Sequence, residues 1–261
     1  MQIQIEQLAA FSEGAFSGNP AAVCVLERWL PDALMQAIAR ENNLSETAFT
    51  VGREGQFQLR WFTPSCEVDL CGHATLAAAH VVFGQERDLR TLRFDTRSGA
   101  LQVQREGKQL TLDCPTQPTK PCEASAGLSQ ALGAKPLNVR RGTDWLAVFT
   151  TEAEIRDLSP DLPQLAALEG RGVIVTAPGD NVDIVSRFFA PGIGIDEDPV
   201  TRSSHCALAP YWAERLGKPL LEARQLSERG GRLTCQVVGE RVLISGQVTP
   251  YLRGHITVAE H

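Results

Sequence analysis

Arg60-Trp61-Phe62-Thr63-Pro64 returns 127 residues later as Arg187-Phe188-Phe189-Ala190-Pro191, with apolar and aromatic types kept in register. Downstream, Ser98-Gly99-Ala100-Leu101-Gln102-Val103 resembles Gly230-Gly231-Arg232-Leu233-Thr234-Cys235, and Leu110 and Leu112 fall opposite Val242 and Ile244, now at a spacing of 132. Upstream, a strand over Val23–Leu26, a helix over Pro31–Glu41 and a strand over Ala48–Val51 match Leu146–Phe149, Leu162–Glu169 and Val173–Thr176. The chain reads as a duplication.

In each half the aromatic strand leads through a loop into a helix, Ala74–Phe83 in the first and Ser203 to about Leu216 in the second. The first has no polar face, so it must be buried on every side, and a sheet has to curl around it. Pro210 is expected to kink or shorten the second. Cys114-Pro115-Thr116-Gln117-Pro118-Thr119-Lys120-Pro121 is too rich in proline for a regular element and reads as a linker. The expected domains are an N-terminal α/β half over 1–116 and a C-terminal α/β half over 117–261.

Composition narrows the function. Thirty-one acidic residues against 25 basic ones give a net charge of −6, and no segment gathers a phosphate-tracking basic stripe, so nucleic acid is not an expected partner. Met1–Leu8 alternates like a strand and lacks a signal-peptide pattern, and no apolar run reaches the ~18 residues of a membrane span. Seven scattered cysteines, an odd number, suit a reduced compartment. The expectation is a cytoplasmic protein without a membrane partner, acting on a small anionic metabolite. An exposed sheet edge in either half makes a homodimer possible.

Asp69-Leu70-Cys71-Gly72-His73-Ala74-Thr75 precedes the first buried helix, and Asp196-Glu197-Asp198-Pro199-Val200-Thr201-Arg202-Ser203 precedes the second. At the 127 spacing Cys71 matches Asp198. Each then stands at a helix mouth whose unpaired N–H groups attract anions. Gly72 lets backbone approach a ligand, and His73 or Ser203 offers a hydrogen bond to an oxyanion or enol. Taken singly, such residues are caps far more often than catalysts. Cys66, Cys71 and His73 are spaced C-x4-C-x-H, no recognised zinc pattern, so no metal is expected.

Ser45-Glu46-Thr47-Ala48-Phe49, Leu70-Cys71-Gly72-His73-Ala74-Thr75 and Glu197-Asp198-Pro199-Val200-Thr201, with Gly18-Asn19-Pro20, resemble the signatures of the phenazine-biosynthesis (PhzF-like) family, end to end and in order. The resemblance implies an α+β fold of the diaminopimelate-epimerase-like type. Its two pseudo-symmetric halves are each a curled, mostly antiparallel, barrel-like sheet around a central helix. It further implies Glu46 as the acid/base in a cleft between the halves, with Gly72, His73, Asp198 and Ser203 lining the substrate pocket, to which the helix-mouth reading adds Cys71. Arg202 stands where the family usually has Gly, and its long side chain is expected to point to solvent rather than to recognise an additional acidic group.

Inverting a stereocentre by proton transfer needs two bases on opposite faces. The duplication supplies only one acid, because Arg171 stands roughly opposite Glu46. A single carboxylate can move a proton from one carbon to another on the same face, through a dienol, without metal or nicotinamide. The reading is therefore a cofactor-independent isomerase acting on a small carboxylic acid, with the pKa of Glu46 raised toward neutrality by burial. Two alternatives stand beside it: a racemase or epimerase using Cys71 and Asp198 as an unequal base pair, and a non-catalytic small-molecule-binding protein.

Overall fold

The computed structural model describes residues 1–123 and 125–258. The fold is α+β, and the chain divides into two compact units, Met1–Asp113 with the residues from Ser245 onward, and Cys114–Ile244.

In the first unit the chain runs through β1 (Gln2–Ala10), β2 (Asn19–Leu26), α1 (Asp32–Asn42), β3 (Glu46–Arg53), β4 (Gln56–Phe62), β5 (Glu67–Val68), α2 (Gly72–Gln85), β6 (Thr91–Thr96), β7 (Gly99–Glu106) and β8 (Gln109–Pro115). Helix α2 carries no Asp, Glu, Lys or Arg, and 11 of its 14 residues are buried. The sheet curls about it through β1, β2 and β3. Helix α1 is amphipathic instead. It lays Met35, Ile38 and Ala39 against Ile3, Ile5, Cys24, Phe49 and Phe62 on the other sheet face, and ends at left-handed Asn43, whose N–H returns to Ala39 O. A sheet buried on both faces explains why β2 reads as a continuous apolar run.

The second unit repeats the plan with β9 (Lys120–Cys122), α3 (Ala126–Leu132), β10 (Asn138–Arg141), β11 (Trp145–Val148), α4 (Glu152–Asp157), α5 (Leu162–Ala166), β12 (Val173–Pro178), β13 (Ile184–Phe189), α6 (Arg202–Leu216), β14 (Leu220–Gln225), β15 (Gly231–Val238) and β16 (Arg241–Gly246). The pairing pattern is the strongest sign of duplication. β2 is parallel to β3, β3 antiparallel to β4, β4 parallel to β6 and β6 antiparallel to β7. β11, β12, β13, β14 and β15 follow the same alternation.

Four expectations are corrected. The C-terminal stretch does not stay with the second half: β17 (Val248–Thr257) runs antiparallel to β1 from Ala10↔Val248 to Gln2↔Thr257, so it closes the first unit as β9 closes the second against β10. The proline-rich segment is more than a linker, because Lys120–Cys122 pairs with Val139–Arg141 and Thr116 N–H donates to Glu240 O. The helix expected over Leu162–Glu169 stops at Ala166, with Asp161 as its cap. Of the kink or shortening expected at Pro210, the shortening does not occur, because α6 runs on to Leu216. Proline removes the N–H that would bond Cys206 O, and Gln117 N–H, from the proline-rich segment, takes that carbonyl instead at 2.9 Å. Among the described residues no helix is long and apolar enough to cross a membrane.

Candidate active site

Glu46 is the first residue of β3, paired to Ala21 of β2. The chain reaches it through Gly18, whose φ of +78° and 2.5 Å clearance from Ala10 O to a hypothetical Cβ leave room only for glycine. Gly18 delivers Asn19, which is fully buried and accepts from Ser45 Oγ at 3.4 Å, immediately before Glu46. From the other side α2 brings its own mouth. Cys71 is the N-cap in extended conformation, and its carbonyl receives both the N–H and the hydroxyl of Thr75.

The result is a buried triad. His73 Nε2 lies 2.8 Å from Glu46 Oε2, with side-chain exposures of 9% and 13%, and His73 Nδ1 lies 3.5 Å from Cys71 Sγ. A buried carboxylate held ionised beside a cation can accept a proton from a ligand. The donor atoms of Glu46, Cys71 and His73 all lie within 4.8 Å of one another, and their types are ones zinc accepts. The spacing in the chain hides this set, since Glu46 is remote in sequence from the other two.

Electrostatics correct one expectation. Burial alone raises the Glu46 carboxyl, but the charge of His73 and hydrogen bonding from His73 and Cys71 outweigh it and hold the group below its ordinary range. Burial likewise lowers His73, and Cys71 and Glu46 together bring it well above the usual imidazole range. The two form an ion pair at neutral pH. Cys71 is pushed upward by burial and by the Glu46 charge, so it is a thiol rather than a thiolate.

In the second unit α6 begins at Arg202 with Thr201 as its N-cap. The position that matches Cys71 is therefore Thr201, and Asp198 lies three residues upstream, where a short insertion displaces it from the expected equivalence. Asp198 Oδ2 accepts from Thr201 Oγ1 at 2.5 Å, and Gln225 Nε2 donates to Asp198 O at 2.7 Å. Ser203 holds the place in α6 that His73 holds in α2. Its hydroxyl receives Arg171 Nη2 at 3.0 Å, while Arg171 forks onto buried Asp144 at 2.9 and 2.5 Å. The duplication has thus replaced a carboxylate–imidazole pair by a guanidinium–hydroxyl pair, and Arg171 is the site residue that sequence reading passed over. Its signal was its place opposite Glu46.

Arg202 does not point to solvent. It is 7% exposed, with Nη1 at 3.1 Å from Cys114 Sγ and 4.0 Å from Cys206 Sγ, because its Cα sits on the first turn of a buried helix. One turn further, His205 is fully buried, with Nδ1 2.8 Å from Thr201 O, and burial pulls it down to about 4. A base held neutral in the fold loses stability in acid. Below its ordinary value of 6.5 the unfolded chain takes a proton that the folded chain refuses until about pH 4. Urea unfolding between pH 7 and pH 4 is expected to lose about 3 kcal/mol at this residue, and His205→Asn to flatten that part of the profile.

Comparison with known proteins agrees with this architecture. The family model described as "Phenazine biosynthesis-like protein" matches residues 8–254. An uncharacterized isomerase of Pseudomonas aeruginosa is 53% identical over 255 residues, covering 97% of this chain and 98% of that one. The crystal structure of a phenazine biosynthesis protein PhzF family member from Enterococcus faecalis superposes with a TM-score of 0.97 at 46% identity, over 99% of this chain and 100% of that one. A hydroxyproline epimerase from Agrobacterium vitis shares the fold alone, with a TM-score of 0.61 at 10% identity over 98% of this chain and 91% of its own.

Proposed function

The chain belongs to the PhzC-PhzF family of phenazine biosynthesis-like proteins and is an isomerase, and on that premise we propose that it moves a proton between carbons of a small carboxylic acid, with Glu46 as the single acid/base. The observation that carries the reading is the buried Glu46 carboxylate at the mouth of α2, held ionised with His73 Nε2 2.8 Å away. A carboxylate in that condition can lift a proton from carbon and, once protonated, return it to another carbon on the same face.

His73 supplies the compensating positive charge as the carboxylate form is consumed and restored, and the backbone N–H groups of the α2 mouth, with Gly72 and Cys71, stabilise charge appearing on the substrate. Asp198 and Ser203 are assigned to substrate binding on the second unit, with Arg171 as the cation that orients Ser203. The chemistry asks for no cofactor. Its proposed setting is the cytoplasm, on the odd number of cysteines.

The racemase alternative needs Cys71 as a base. The upward push on its thiol and the displacement of Asp198 from the matching position both speak against that pair. The test is incubation in D2O, with a chelator present, of a pool of unsaturated carboxylic acids. Mass spectrometry should find at least one acid gaining a single deuteron with the native protein and none with Glu46→Gln. Undiminished incorporation in that variant would remove Glu46 from the mechanism.

A further inference from the structure

At the opposite end of α2 from the Glu46 mouth, the first unit contains a cavity of about 690 Å³, within the size range that takes a small organic ligand. Arg87, Arg90, Arg105 and Lys108 line it, and no Asp or Glu does. For a chain of net charge −6 this is an unusual concentration of one sign. Two of the nearby carboxylates are already committed: Glu6 is paired with Arg253 at 3.0 Å, and Glu86 accepts from the N–H groups of Glu54 and Gly55 at 2.8 Å each. Among the described residues, none of the four cations has a carboxylate partner.

Two further observations point to a ligand rather than to a merely solvated basic face. Arg105 is fixed in place: its guanidinium donates to the carbonyls of Phe83, Arg87 and Leu89 and lies 4.5 Å over the Phe83 ring, yet its buried Nε–H has no acceptor. A buried donor left open costs free energy that an incoming anion would recover. The wall is also mixed, with Phe83, Leu110 and Val248 giving an apolar floor beneath the charges.

We infer that this cavity is a binding site for a small organic anion that joins an apolar, ring-like body to a phosphate or paired carboxylate group. Arginine forks recognise such groups through two parallel hydrogen bonds, and the apolar part of the wall, with Leu110 and Val248, takes the body. The site is distinct from the Glu46 mouth, and its occupancy does not depend on what Glu46 does.

Phenyl phosphate is the probe. In a titration of 15N-labelled full chain followed by amide shifts, it should perturb Gly84, Gly107 and Thr249, with an affinity that weakens as salt is raised. Benzyl alcohol, its neutral counterpart, should perturb them little. The Arg90→Ser/Lys108→Ser double variant changes two exposed side chains and leaves Arg105 intact. It should bind phenyl phosphate at least tenfold more weakly while keeping the native amide spectrum elsewhere, whereas Glu46→Gln should bind it as the native protein does. Equal affinity in the double variant, or shifts confined to Gly72 and Ala74, or no binding, would overturn the assignment.

Discussion

Glu46→Gln is expected to lower kcat by about 10²- to 10⁴-fold while leaving the circular dichroism spectrum and carboxylate binding unchanged. The substitution keeps the size and shape of the side chain at the head of β3 and removes only its ability to carry a proton. Its effect on the fold is small because the packing at the mouth of α2 is kept and one of the two groups that raise His73 is withdrawn, which lowers the charge left in the interior. Glu46→Asp withdraws the carboxylate by one methylene and should fall between native and Gln. Steady-state kinetics with thermal melts of all three proteins separate these outcomes. A Gln variant that is folded and fully active contradicts the acid/base role.

His73→Gln is the second large effect, and it carries a sign. In the native protein burial raises Glu46, and His73 more than compensates, leaving the group below its usual range. Removing the imidazole leaves burial as the dominant influence, so the Glu46 carboxyl moves upward. A general base works only when deprotonated, so the acidic limb of kcat/KM, which reports the free enzyme, must shift to higher pH. We expect kcat at the optimum to fall by about 10²-fold as well, on the scale of losing one charged group that supports the transition state. A limb that stays in place, or moves to lower pH, would mean that another group titrates there.

Much of this architecture is legible in the sequence because duplication makes each half a check on the other. The apolar α2, the aromatic strands β4 and β13 and the Gly-rich turns are fixed by local chemistry, and the signatures around Glu46, Cys71 and Asp198 lie on contiguous residues. Pairing of elements far apart in the chain was not legible. Nothing near Val248–Thr257 says that it belongs beside β1, because an alternating strand accepts any partner of matching register. The survival of α6 past Pro210 required knowing that Gln117, over ninety positions away, takes the abandoned carbonyl.

The site shows the same division. Residue identities at the helix mouths were readable, while their ionisation was not. Burial of Glu46 predicts an upward shift, and His73 2.8 Å away, with a hydrogen bond from Cys71, reverses it. Arg202 follows the same logic: its length suggests a solvent-facing side chain, but its place on the first turn of a buried helix puts it among Cys114 and Cys206.

The most direct test follows one hydrogen. A substrate found in the D2O screen is labelled with deuterium at the carbon that loses its proton and is turned over once in ordinary water. Transfer by one carboxyl group predicts that part of the label reaches the carbon that gains a proton, on a single face, and that Cys71→Ser stays active and delivers label to the same carbon. Complete washout of label with inversion at one carbon, together with an inactive Cys71→Ser, would contradict it.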